Sequence, residues 1–247
     1  MSGELRVIPL RGMPELEDGD DLGTLLVEAA ARVGGLEHED VLVVAQKAVS
    51  KVEGRVVQLE GVVPSERARE LAGATDPRRL EVILREAREV VRVRPPLVIA
   101  ETRHGFVCAS AGVDASNARG PDTLILLPVD PDASADRLRA AVRQHTGIEA
   151  GVIVSDSFGR AWRRGTTDVA LGVSGTAALV DLSGRLDPAG YELHATEIAV
   201  ADQIAGAAQL VMGKTDGIPA AIVRGLDARG DGRGIDLVMP RERDLFR

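Results

Sequence analysis

Strand-like segments follow one another directly along much of this chain instead of alternating with helices, and that order most narrows the folds open to it. DVLVVAQ (residues 40–46) and GVIVSD (151–156) are continuous, β-branched apolar runs, the pattern of strands buried on both faces. Further strands are expected at residues 5–10, 55–59, 97–102, 104–114, 123–129, 168–175, 177–182 and 219–226. Helices fall between groups of strands. One follows Asp20 or Asp21 and stops at Gly34; a second runs over 66–73 after Ser65. Asp76-Pro77 caps a third over 78–91, Ser134 caps a fourth over 135–145 that Gly147 ends, and an Ala-rich helix covers 198–213. The expected fold is α+β, mainly antiparallel sheets flanked by helices, in a single domain over 1–247 that could divide into two intertwined subdomains. The polar tail, 227–247, is expected to be peripheral.

Composition removes several function classes. Aromatic residues make up 2% of the 247 positions, so the core must be built from Val, Ile, Leu and Ala. A formal net charge of −8 argues against a nucleic-acid platform, which needs a basic face and stacking rings. Cys108 is the only cysteine, which excludes an intrachain disulfide and a multi-cysteine zinc site. The opening MSGELRVIPL lacks the apolar core of a signal peptide, and runs such as LILLPV fall far short of a membrane span. A cytoplasmic protein is the expectation. Of 30 basic residues only three are lysines, Lys47, Lys51 and Lys214. A chain that uses Arg nearly everywhere can reserve Lys for places that want a compact ammonium, such as phosphate sites. Compositional bias with three lysines left over explains the same count.

Four segments carry polar groups in patterns that suit chemistry. In GVIVSDSFGRAWRRGTTD (151–168) a strand delivers Asp156 and Ser157 at its end, oxygen donors for a hard divalent cation. Arg160, Arg163 and Arg164 follow beside Trp162, a cationic loop in an acidic protein. CASAGVDASN (108–117) presents Asp114 and Asn117 after small residues; alone it is also an ordinary turn. VVAQKAVSKVEGR (43–55) sets Lys47 and Lys51 four apart, on one face if helical, where solvation is the usual fate of lysine. MGKTDG (212–217) places Lys214 in a loop that reads equally as a phosphate contact or as a left-handed cap at Gly213. The four histidines show no zinc-hydrolase spacing, and neither a P-loop, a nucleophile elbow nor a dinucleotide fingerprint occurs. Cys108 lies in an apolar strand and reads as core.

Together these segments resemble the coenzyme F420-0:L-glutamate ligase family. The resemblance runs from IPLRGMPEL through QKAVSKVEGR, AGVDASN, LLPVDPDASADRLR and SDSFGRAWRRGTTDVALG to ELHATEIAVADQIAGAAQLVMGK and PAAIVRGL. It implies an α+β fold in an intertwined homodimer, and addition of L-glutamate to the phospholactyl-deazaflavin precursor F420-0 using GTP, two divalent ions (Mg2+ or Mn2+) and K+. The family's nucleotide contacts fall on Met13, Pro14, Glu15, Leu16, Gln46, Lys47, Lys51 and Asn117, and its metal positions on Asp114, Asp156 and Ser157. Many relatives carry Thr at Ser157, which keeps the hydroxyl. Archaeal-type members carry Gln at Lys214, where an ammonium cannot ligate a metal and is assigned to phosphate instead. Some actinobacterial relatives continue into a nitroreductase-like domain, which is not expected here.

The implied chemistry forms an acyl phosphate from the substrate carboxylate and the γ-phosphate, and the amine of glutamate then displaces phosphate. Lys51, with Lys47, is assigned to the phosphates, and Arg160 and Arg163 to the anionic phospholactyl or glutamate groups. The competing enzyme class is a metal-dependent nucleotide phosphohydrolase, and a non-catalytic GTP sensor stands third. The expected partners are GTP, L-glutamate, F420-0 and a second copy of the chain, without nucleic acid or membrane.

Overall fold

The computed structural model describes residues 4–246. Its centre is a five-stranded sheet in the order β1 (Arg6–Pro9), β12 (Ala220–Arg224), β2 (Val41–Ala45), β8 (Gly151–Arg160), β9 (Arg163–Ser174). Every neighbouring pair is antiparallel except β2 and β8, which run parallel from Val41 beside Gly151 to Ala45 beside Ser155. The period of two in a strand explains why these segments are apolar throughout. Leu42, Val44, Val152 and Val154 face α1 (Leu22–Ala31) and α5 (Pro131–Thr146), whereas Val41, Val43 and Ile153 face α6 (Val200–Met212). Both faces are covered, so the paired positions from Val41 to Val44 and from Val152 to Val154 are all apolar. Ala29 and Ala30 on α1, and Ala201, Ala205 and Ala208 on α6, let the helices sit close against the sheet in a chain almost without aromatic filler.

A second layer occupies the long connection between β2 and β8. α2 (Gln46–Val52) leaves β2 directly; β3 (Val56–Gln58) then pairs with β7 (Thr123–Ile125). α3 (Glu66–Ala72) and α4 (Pro77–Glu86) pack over the sheet of β4 (Ala87–Arg94), β5 (Leu97–Thr102) and β6 (Val107–Ala109), with Leu80, Ile83, Val98 and Leu124 in a core of their own. A two-stranded ribbon of β10 (Val180–Asp181) and β11 (Glu197–Ile198) precedes α6. The expected α+β class with mainly antiparallel sheets is what the chain adopts.

Local signals placed most elements, and tertiary pairing moved the rest. α1 starts at its Asp21 cap, whose Oδ1 accepts from the Thr24 amide at 3.0 Å. The helix expected over 78–91 stops at Glu86, because Ala87–Arg94 becomes a strand paired with β5. Its Val90 and Val93 gain burial on that pleated surface, a gain invisible to a local window. α5 begins one turn earlier than expected: Asp130, not Ser134, is the cap, its Oδ1 accepting from the Ala133 amide at 3.0 Å, with Pro131 opening the first turn. The strand expected over 104–114 is limited to Val107–Ala109, because Ser110, Ala111 and Gly112 all have positive φ and turn the chain. Residues 157–167, expected as a loop, form the distal part of the β8–β9 hairpin, closed by Ala161 and Trp162.

The tail is also less peripheral than its polarity suggests. Asp132 Oδ1 accepts from the amides of both Val173 and Gly234, at 2.8 and 2.7 Å, tying the tail to α5 and β9. Arg233 closes the strap on Asp136. Gly234 lies so close to β9 that a Cβ there would sit 1.9 Å from the Leu171 carbonyl oxygen.

Candidate active site

The parallel pairing of β2 with β8 ends at Ala45 and Ser155, where β2 stops and β8 runs on, and a cleft of about 270 Å³ opens there. Each wall comes from a different element. α2, which grows straight out of β2, supplies Gln46, Lys47 and Lys51; the continuation of β8 supplies Asp156 and Ser157; β9 supplies Asp168. The loop after α6 brings Lys214, the segment before α1 brings Pro14, Glu15 and Leu16, and Asn117 enters with positive φ. All three lysines of the chain therefore line one cleft. Gly213 ends α6 with φ 59 and ψ −165, outside the left-handed helical region, so the left-handed cap expected there does not form, while Lys214 lines the cleft.

The charges are interlocked. Lys47 Nζ donates to Asp114 Oδ2 at 2.7 Å and to Ser116 Oγ, and Lys51 Nζ donates to Glu15 Oε1 at 2.5 Å. Burial raises the Asp114 carboxyl, but the bonds from Lys47 and Ser116 outweigh it and hold the group down at about 2. Asp156 goes the other way. Desolvation pushes it up to about 7 against the opposing Ser157 amide and Lys47, and the nearby Asp168 and Asp114 carboxylates push it further up. Asp168 is also raised by burial, although the hydroxyls of Ser157 (2.6 Å) and Ser155 (3.3 Å) donate to it. Asp156 and Asp168 thus line the cleft, close enough to Asp114, Lys47 and Lys214 to feel their charges. Gln46 is 1% exposed; its Oε1 accepts from Ser50 Oγ at 2.8 Å while its Nε2 has no partner among the described residues. A buried amide donor without an acceptor, on a cleft wall, is suited to a ligand oxygen.

The model of the family described as F420-0:gamma-glutamyl ligase matches residues 12–225. The chain belongs to that family. It is 46% identical over 217 residues to the coenzyme F420:L-glutamate ligase of Methanocaldococcus jannaschii, covering 86% of each chain. It is 43% identical over 251 residues to the protein of the same name from Methanothermobacter thermautotrophicus, covering 98% of this chain and 99% of the relative. With that of Methanopyrus kandleri the identity is 45% over 251 residues, covering 98% of both.

In this member of the F420-0:gamma-glutamyl ligase family, most positions expected from sequence meet in the cleft. Pro14, Glu15, Leu16, Gln46, Lys47, Lys51, Asn117, Asp156, Ser157 and Lys214 line it, and Asp114 reaches it through Lys47. Met13 packs behind the wall against the core of α1 and the sheet. Arg160 and Arg163 are not brought in. They are the last paired rung of the β8–β9 hairpin and are exposed, because β8 runs straight on for four residues beyond Asp156, about 13 Å. Asp168 is the charged site residue that sequence reasoning missed, and Ser155 and Thr215 also line the cleft. Asp168 sits directly across the ladder from Ser157, so reading residues 157–167 as a hairpin would have revealed it. Cys108 is buried and its thiol is pushed up to about 12, by desolvation and then by Asp156, consistent with a core residue.

The donor set fits a hard cation. Its groups are carboxylate and hydroxyl oxygens, and the desolvated Asp156 facing two like charges favours a cation nearby. Among the described residues, no group of three or more His, Cys, Asp or Glu could hold an ion unaided. A small divalent ion bound by one or two carboxylates and completed by substrate phosphate oxygens meets that condition.

Proposed function

We propose that the chain is a GTP-dependent ligase that joins L-glutamate to coenzyme F420-0 through an acyl-phosphate intermediate. The observation that carries this reading is the gathering of all three lysines around desolvated carboxylates in one cleft, in a chain whose family and relatives bear the ligase name. A triphosphate tail needs compact cations and a hard metal together, and the chain's three lysines stand here beside Asp156 and Asp168.

Asp156, Ser157 and Asp114 are the residues that would hold divalent metal, which supplies charge neutralisation for phosphoryl oxygens when bound. Lys51 and Lys214 contact phosphate oxygens, and Lys47 moves between Asp114 and the nucleotide. Gln46 Nε2, Asn117 and the backbone of residues 13–16 position the rest of the nucleotide. A carboxylate oxygen of F420-0 attacks the γ-phosphorus and the bond to GDP breaks. The amine of glutamate, having lost a proton, then attacks the acyl carbon, the amide forms and inorganic phosphate leaves. K+ as an activator, a homodimeric assembly and a cytoplasmic setting belong to the same reading.

Mass spectrometry of a reaction containing F420-0, L-glutamate, GTP and Mn2+ tests it. A product heavier by one or more glutamate residues, with GDP and phosphate released in step, is expected. GTP hydrolysis of equal rate without F420-0 and glutamate would favour a phosphohydrolase instead. Asp156→Ala should abolish ligation, and a variant that ligates at a near-normal rate would remove Asp156 from the assignment.

A further inference from the structure

Five aromatic residues exist in the chain, three of them phenylalanines, and all three phenylalanines line one cavity. Phe106 precedes β6, Phe158 lies on β8 and Phe246 is in the tail; the cavity they share has a volume of about 390 Å³. Phe106 and Phe158 meet edge to face with ring centroids 6.3 Å apart, and Trp162, the only tryptophan, lies against Phe246 at 4.6 Å. A molecule that fills its core with aliphatic side chains has collected four of its five rings here. Core packing accounts for Phe106 and Phe158, which pack with Leu127 and Leu171, but not for Trp162, 84% exposed, or Phe246, 62% exposed. Val169 and Leu237 complete the apolar wall.

The cavity adjoins the lysine cleft along one hairpin. Ser157 and Asp168 line the cleft, and their chain neighbours Phe158 and Val169 line the aromatic cavity. Asp156 and Phe158 lie on one face of β8, two residues apart, about 7 Å along the strand. One polar group faces the cavity from α6: Asp202, whose Oδ1 accepts from the Ala170 amide at 2.8 Å. Asp244 and Arg243 of the tail also line it, so the slot is apolar and ring-lined with carboxylate acceptors and a guanidinium donor at its margin, a lining that suits a planar heteroaromatic ligand carrying ring N–H and carbonyl groups.

We infer that this cavity holds the deazaflavin ring of the acceptor substrate. The flexible phospholactyl chain then runs past Phe158 to bring its carboxylate to Asp156 and the phosphates in the lysine cleft. This inference rests on the ligase reading and adds to it the site that distinguishes the acceptor from the nucleotide. The tail from Leu237 to Phe246, apolar at Leu237, Val238, Met239, Leu245 and Phe246, serves as one wall of the ring site.

Two variants and two readouts test the assignment. Phe246→Ala changes an exposed position and leaves the fold intact; Phe158→Leu keeps most of the volume and removes the ring. The first readout is equilibrium binding of a deazaflavin that lacks the phospholactyl group, without nucleotide. The second is the KM for F420-0 measured separately from the KM for GTP. The expected result is a rise of about three- to tenfold in both the ring Kd and the F420-0 KM in each variant, with the KM for GTP unmoved. A wild-type chain that does not bind the ring compound overturns the inference, as does an F420-0 KM that ignores both substitutions. A rise in the GTP KM instead would make the cavity a base site. A loss of dimer mass in light scattering with unchanged kinetics would make it a contact between copies. Ring binding requires no turnover, so a chain that binds the ring but forms no glutamyl product would sink the ligase reading and leave the ring site standing.

Discussion

Asp168 shows how one residue acts through another. Its carboxylate accepts the Ser157 hydroxyl proton at 2.6 Å, which turns the lone pairs of Ser157 Oγ towards the cleft, and its own amide is fixed by Gln209 Oε1 at 3.0 Å. Partners that orient ligating groups in this way are commonly worth about 10–100-fold in metal affinity or activity. Asp168→Ala should therefore raise the Mn2+ concentration needed for half-maximal ligation by about tenfold or more; an unchanged metal titration would leave Asp168 a fold residue only. At this scale the sequence was readable where chemistry is written in residue type. The scarcity of lysine singled out Lys47, Lys51 and Lys214, and all three line one cleft. Asp168 was not readable because its significance comes from a partner eleven residues away across a ladder. The guanidinium groups of Arg160 and Arg163 drew attention by charge alone, and charge does not say how far a hairpin extends.

Among the elements, the join between β9, α5 and the tail is the tightest. A Cβ on Gly172 would lie 2.0 Å from the Pro131 carbonyl oxygen, backbone against backbone, so Gly172→Ala must push β9 off the start of α5. A loss of about 2–4 kcal/mol in urea unfolding is expected; a loss below about 0.5 kcal/mol would mean the contact is looser than it stands. The neighbouring strap titrates. Hydrogen bonds from Arg233 hold the Asp136 carboxyl down at about 2 against the opposing effect of burial, with Ser174 assisting. Because the folded value lies below the ordinary aspartate value near 3.8, the strap contributes fully above that value and its contribution fades as pH falls towards about 2. Asp136→Asn should cost about 1 kcal/mol at pH 5, small because both partners are well exposed, and the gap to the unaltered chain should close by about pH 2. A gap independent of pH would mean the loss is one of packing. Helices were legible wherever a cap wrote their start, as at Asp21 and Asp76; Asp130 was missed because Ser134 offered a second candidate four residues on. β4 and the hairpin were missed because a strand is decided by the partner it finds, and that partner is not in the window being read.

Across the whole molecule, rare side chains are sorted by chemistry: phenylalanines around one cavity, lysines around another, and arginines spread over the exterior in pairs with Asp and Glu. The consequence is practical. Lys47 and Lys51 each retain 15% side-chain exposure, enough for a small reagent to reach them, and the third lysine stands beside them. Acetic anhydride or an activated ester, indiscriminate on most proteins, should here mark side chains on a single surface, with peptide mapping finding Lys47, Lys51 and Lys214 shielded together when nucleotide is added. An arginine-coated exterior makes a general amine label into an affinity label without any designed ligand.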